Sequence, residues 1–122
     1  MMRVAVADDQ ANFRSILAQM LRREGYDVVE IDNGRALAAL VLDDDPPDVV
    51  LTDERIPHES ALDVLELMRD YEVRIPTILM TGGMSDVLRE EAARLGALGV
   101  LQKPFTLEAL FALLVENTPF RN

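Results

Sequence analysis

At 122 residues, 49% of them hydrophobic and 28% charged, the chain has the size and composition of one globular domain, spanning residues 1–122, rather than of a disordered segment. A formal net charge of −10 opposes binding to nucleic acid or an anionic membrane surface, and the densest basic spot, Arg22-Arg23, is followed at once by Glu24. There is no cysteine for disulfides or thiolate metal sites, no apolar run near the ~20 residues of a membrane-spanning helix, and no secretory leader in Met-Met-Arg-Val-Ala-Val, so a soluble cytoplasmic protein is expected.

Apolar runs and helical patterns alternate along the chain. Val4 to Ala7 is a short apolar run that stops at Asp8-Asp9. Phe13, Ile16, Leu17, Met20 and Leu21 then recur at the spacing of one helix face, and Gly25 ends that helix. Val28 to Ile31 reads as a second strand and Asn33 to Leu42 as a short helix rich in alanine and leucine. After Pro46-Pro47, a third strand from Asp48 to Thr52 ends at Asp53. Ser60-Ala61-Leu62-Asp63 has the form of a capping box, opening a helix with Leu62, Leu65 and Met68 on its apolar face. Pro76 to Met80 is a fourth strand ending at Thr81-Gly82-Gly83, a helix runs to about Leu95, and Gly99 to Gln102 is a short fifth strand. The last helix carries Leu107, Leu110, Phe111 and Leu114 on one face.

Strict strand–helix alternation, with strands that are nearly uninterrupted apolar runs, predicts an α/β fold: a parallel sheet covered by helices on both faces. Ligands of such sheets bind beyond the carboxyl ends of the strands. Asp8 and Asp9 follow strand one, Asp53 strand three, Thr81 strand four and Lys103 strand five, so five polar groups share one rim. Asp43-Asp44-Asp45 precedes a strand and falls at the opposite end, as a solvated turn. Clustered carboxylates repel one another, and a hard divalent cation such as Mg²⁺ relieves that repulsion while admitting a phosphate oxygen. Such a pocket suits phosphoryl chemistry, with a carboxylate as nucleophile and Thr81 and the backbone N–H groups of Gly82 and Gly83 as donors. Taken singly, an Asp pair after a strand is most often a helix cap, and a lone Asp or a Thr-Gly is most often a turn. Their joint placement carries the reading.

These residues resemble the receiver domain of two-component response regulators over nearly the whole chain. The specific parts are Val4 to Asp9, Leu51-Thr52-Asp53-Glu54-Arg55-Ile56-Pro57, Ile78 to Gly82, and Gly96-Ala97 through Lys103-Pro104-Phe105. The resemblance implies a flavodoxin-like (βα)5 doubly wound sheet in the order 2-1-3-4-5. It implies that Asp53 accepts a phosphoryl group from a sensor histidine kinase or phosphotransfer protein. Asp9, Asp53 and the backbone carbonyl of Arg55 would bind Mg²⁺ directly, and Asp8 through a water. Lys103 would contact the phosphoryl group, with a cis bond to Pro104, and Thr81 would swing toward it. The helix 4–strand 5–helix 5 face would be a surface for homodimers.

Five positions depart from the family pattern or flank the pocket variably. Val100 stands where an aromatic switch residue is usual. Ile56 replaces a frequent methionine, and Ala61 a frequent glycine, which bars a positive-φ turn there and predicts a remodelled loop after Asp53. Arg55, like Gly83, occupies a variable position flanking the pocket, close enough to shield or pair with a phosphoryl group. His58 reads as an exposed loop histidine, and the methionines read as gap-fillers of the core. Competing classes fit less well. A Mg²⁺-dependent aspartyl-phosphate phosphohydrolase usually carries its nucleophile after strand one in an Asp-x-Asp pattern, against Asp8-Asp9-Gln10 here. A phosphorylation-independent docking module typically loses one of the five pocket residues. A nucleotide or flavin binder needs a glycine-rich loop after strand one.

Overall fold

A computed structural model of the chain describes residues 2–117. Five strands alternate with five helices: β1 (Arg3–Ala7), α1 (Ala11–Arg23), β2 (Asp27–Ile31), α2 (Gly34–Val41), β3 (Val49–Asp53), α3 (Ala61–Asp70), β4 (Thr77–Thr81), α4 (Asp86–Arg94), β5 (Gly99–Gln102) and α5 (Leu107–Asn117). The strands form one parallel sheet, as the alternation predicts, in the order β2-β1-β3-β4-β5 that the resemblance implies. Among the described residues no helix is long and apolar enough to cross a membrane.

The apolar runs of the strands are explained by burial on both faces. Ala5, Ala7, Val50 and Leu79 pack on the side of α2, α3 and α4 with Leu37, Val64, Leu65, Met68 and Leu88. Their neighbours Val4, Val6, Val49, Leu51, Ile78 and Met80 pack on the other side with Leu17, Leu21, Leu110 and Leu114 of α1 and α5. Successive side chains of a strand alternate between faces, so a strand sandwiched between helix layers must be apolar at every position.

Local signals set the ends of the helices. The Asn33 side chain accepts from the Ala36 N–H at 2.8 Å, and Ser60 and Asp63 complete the expected capping box. Gly25 follows α1 with φ at +95°, a conformation that costs glycine little. Asp43 to Asp45 form an exposed turn, with Arg3 paired to Asp45 at 3.2 Å. One expectation requires correction. On α1 the buried stripe is centred on Leu17, Ala18 and Leu21, leaving Ile16 53% and Met20 36% exposed. A periodic spacing defines a stripe but not its midpoint, and the small Ala18 lets the helix roll toward it. Ala61, as alanine requires, takes no left-handed turn: it is the first residue of α3 and is buried, while His58, exposed as expected, takes the positive φ of 78° in this loop.

Candidate functional site

The parallel register brings the carboxyl ends of β1, β3, β4 and β5 to one edge. The rim is held by backbone hydrogen bonds that cross the sheet. The Glu54 N–H donates to the Met80 carbonyl at 2.8 Å, and the Lys103 N–H to the Thr81 carbonyl at 2.7 Å. Asp8, Asp53, Thr81 and Lys103 are drawn together in this way.

Lys103 is the hub. Its Nζ lies 2.6 Å from Asp8 Oδ2 and 2.8 Å from Asp53 Oδ1. It also sits 4.2 Å from the centroid of the Phe13 ring, which packs edge-on against Phe105. The bond between Lys103 and Pro104 is cis, as the resemblance implied. Asp8 is wholly buried, and its other oxygen accepts from the Gln10 N–H at 2.9 Å. The Arg14 guanidinium clasps the Asp8 carbonyl at 2.7 Å and is itself held by Glu30. Asp53 Oδ2 accepts from the Arg55 N–H at 3.1 Å, so the Arg55 backbone is oriented by Asp53 itself. Asp9 is exposed and, among the described residues, makes no hydrogen bond or ion pair.

Burial of the Lys103 ammonium pulls its pKa down, but the hydrogen bonds and charges of Asp53 and Asp8 outweigh it, and the lysine titrates above its ordinary 10.5. A folded pKa above the unfolded one means the ion pairs contribute in full below pH 10.5 and are lost as the pH rises through the higher folded value. Urea unfolding from neutral to strongly alkaline pH should therefore show a loss of stability that the Lys103→Met variant lacks. Parallel alkaline profiles for the two proteins would rule out this assignment.

The tertiary structure adds contacts that the sequence does not specify. Among the described residues no three carboxylate or imidazole side chains converge closely enough to hold a metal ion unaided. Lys103 lies between Asp8 and Asp53, while Asp9 is exposed at the rim. The Gly83 N–H donates to Thr81 Oγ1 at 3.0 Å. Three further participants are not marked by the sequence pattern. Glu54 accepts a hydrogen bond from the Thr81 hydroxyl, Arg14 braces the Asp8 backbone, and Phe13 covers Lys103. Arg14 could have been found as a charged residue bordering the inward stripe of α1; nothing local marks Glu54. Val100 is half-buried and packs into the core on the α2–α4 side.

The sequence pattern of the response regulator receiver domain matches residues 4–115. The chain belongs to this family. The receiver domain is similar to the regulatory protein AtoC of Escherichia coli (strain K12), 37% identical over 108 residues that make up 88% of this chain and 23% of AtoC. It is also similar to sporulation initiation phosphotransferase F of Bacillus subtilis (strain 168), 30% identical over 122 residues, 98% of this chain and 96% of that protein. A solved response regulator protein from Burkholderia pseudomallei, with a phosphorylated aspartic acid, a calcium ion and citrate, superposes with a TM-score of 0.83 at 25% identity. The match covers 93% of this chain and 66% of that one. The chain is thus a signalling domain of two-component systems with the flavodoxin-like receiver fold.

Proposed function

We propose that this receiver domain accepts a phosphoryl group on Asp53 from the phosphohistidine of a sensor histidine kinase or phosphotransfer protein, with Mg²⁺ bound. The observation that carries the reading is the place of Asp53. It ends the central strand β3, its side chain is 14% exposed at the rim, and one oxygen is within 2.8 Å of the Lys103 ammonium. A carboxylate so placed can attack phosphorus as the bond from phosphorus to the imidazole nitrogen breaks and the nitrogen keeps the electron pair. Lys103, already beside Asp53, would neutralise charge on the incoming oxygens.

The donor set fits Mg²⁺: Asp9 has a carboxylate with no protein partner among the described residues, Asp53 lies at the rim, and the Arg55 carbonyl follows it in the chain. Asp8, farther in, would act through water. The bound ion supplies charge neutralisation for the phosphoryl oxygens. The Burkholderia relative, with its phosphorylated aspartic acid and calcium ion, supports the same assignment here. Val87 on α4 and Val115 on α5 are exposed, which favours the α4–β5–α5 face as a surface for homodimers or an output partner.

Incubation with acetyl phosphate and Mg²⁺ should add one phosphoryl group, seen as a single mass increment that is acid-stable and base-labile. Asp53→Asn should abolish it. Undiminished modification of the Asp53→Asn variant, or steady turnover of p-nitrophenyl phosphate, would refute the assignment.

A further inference from the structure

The Thr81 hydroxyl is fully committed in the unphosphorylated protein. Thr81 is wholly buried. Its hydroxyl is within hydrogen-bond reach of Glu54 Oε1, a charged acceptor, and its oxygen accepts from the Gly83 N–H at 3.0 Å. The backbone carbonyl of Gly83, 3.2 Å away, is the one other acceptor within reach of the hydroxyl among the described residues. Glu54 itself is pinned on both sides. Its N–H donates to Met80 on β4, and its carbonyl accepts from the Ala61 N–H at the start of α3, at 3.2 Å. The carboxylate is therefore presented to Thr81 by a fixed stretch of backbone, one residue along from Asp53.

We propose that Glu54 is a positioning residue that latches Thr81 in the unphosphorylated state, and that phosphorylation must release it. The inference rests on the assignment of Asp53 as phosphoacceptor. A hydroxyl has one proton, so Thr81 cannot donate to Glu54 and to a phosphoryl oxygen at once. The bond to Glu54 is a hydrogen bond to an ionised acceptor, about twice as strong as one between neutral groups. A phosphoryl group on Asp53 then acts against the latch in two ways: it offers a more highly charged acceptor, and its negative charge repels the neighbouring carboxylate. Glu54 thus opposes the movement of Thr81 until the phosphoryl group is in place. It sharpens the difference between the two states at a point that precedes Val100, where the usual aromatic switch is missing.

The test uses beryllofluoride as a phosphoryl analogue in the presence of Mg²⁺. Glu54→Ala and Glu54→Gln should bind it more tightly than the native protein, by about tenfold for the alanine variant, the equivalent of one charged hydrogen bond. The Thr81 and Gly83 amide resonances of the unliganded Glu54→Ala protein should also move toward their positions in the native, beryllofluoride-bound protein. In a Thr81→Val background the substitution at Glu54 should lose most of its effect on affinity. Unchanged affinity and unchanged Thr81 and Gly83 resonances in both variants, with the native protein binding normally, would overturn the latch alone. So would an equal effect of the substitution with and without the Thr81 hydroxyl, which would reduce Glu54 to a source of charge. Absence of any beryllofluoride binding or Asp53 phosphorylation in the native protein would overturn the phosphoacceptor assignment and the latch with it.

Discussion

Replacing Lys103 with methionine should cost the metal-free protein about 3 kcal/mol of stability, and Mg²⁺ should return most of that loss. Asp8 is wholly buried with one oxygen 2.6 Å from the ammonium, and Asp53 is 2.8 Å from the same nitrogen. Methionine keeps the length of the side chain and a favourable contact with the Phe13 ring but removes the charge. Two carboxylates are then left facing one another across a poorly solvated gap, the situation in which breaking one half of an ion pair is most costly. A divalent cation can fill that gap. Ligand binding stabilises a fold by about 2.7 kcal/mol when its concentration is a hundred times the dissociation constant. The gain from Mg²⁺ should be larger for the variant than for the native protein, where the ion has to share Asp53 with the lysine. Urea unfolding with and without Mg²⁺ measures both gains. If the native protein gains as much as the variant, Lys103 and the metal do not compete for the same carboxylate.

The second large effect is expected at a residue outside the charged pocket. Gly34 is the first residue of α2, and its N–H donates to the Pro57 carbonyl at 2.8 Å. A Cβ at this position would lie 2.0 Å from the Glu59 carbonyl oxygen and 2.8 Å from the Glu59 nitrogen. These neighbours are backbone atoms, so no side chain can swing aside; the loop between Asp53 and α3 has to move. Forcing one carbon into such a contact typically costs about 1–3 kcal/mol, and Gly34→Ala should lie at the upper end. The higher helix propensity of alanine offsets roughly 1 kcal/mol at most. The displaced loop carries Arg55, whose N–H holds Asp53, so phosphorylation by acetyl phosphate should slow as well. Native stability together with a native rate in Gly34→Ala would show that the loop yields freely and does not depend on this packing.

These two residues illustrate different degrees of legibility. Lys103 could be placed at the rim from the sequence because it follows an apolar strand, as Asp8, Asp53 and Thr81 do. A strand covered on both faces must be apolar throughout, so the first polar residues mark its end without knowledge of any partner. The same logic placed the aspartate run at 43–45 at the far end of the sheet. Gly34 carries no such mark. Its role depends on a backbone that approaches from residues 57–59, and no periodicity within α2 reports that approach. Glu54 is a parallel case: its partner Thr81 lies 27 residues away, and its neighbour Asp53 draws attention from it. The departures at Val100 and Ala61 were visible as residue types, yet their outcomes were set elsewhere. Val100 became a core contact, and the positive φ that alanine bars at position 61 is taken by His58.

By itself the sequence determined the α/β class, the number and order of the elements and the rim on which Asp8, Asp9, Asp53, Thr81 and Lys103 gather. These follow from local properties: alternating apolar runs, capping residues and the change from apolar to polar at each strand end. Only the tertiary structure decided which of these groups touch. It set Lys103 between Asp8 and Asp53, left Asp9 apart, and brought the Thr81 hydroxyl within reach of Glu54. Such contacts are short-range, and a strand end known only to within a residue leaves the position of a side-chain tip uncertain by more than the length of a hydrogen bond. Parallel pairing of β1, β3, β4 and β5 removes that uncertainty, because the register of four strands is shared across one sheet.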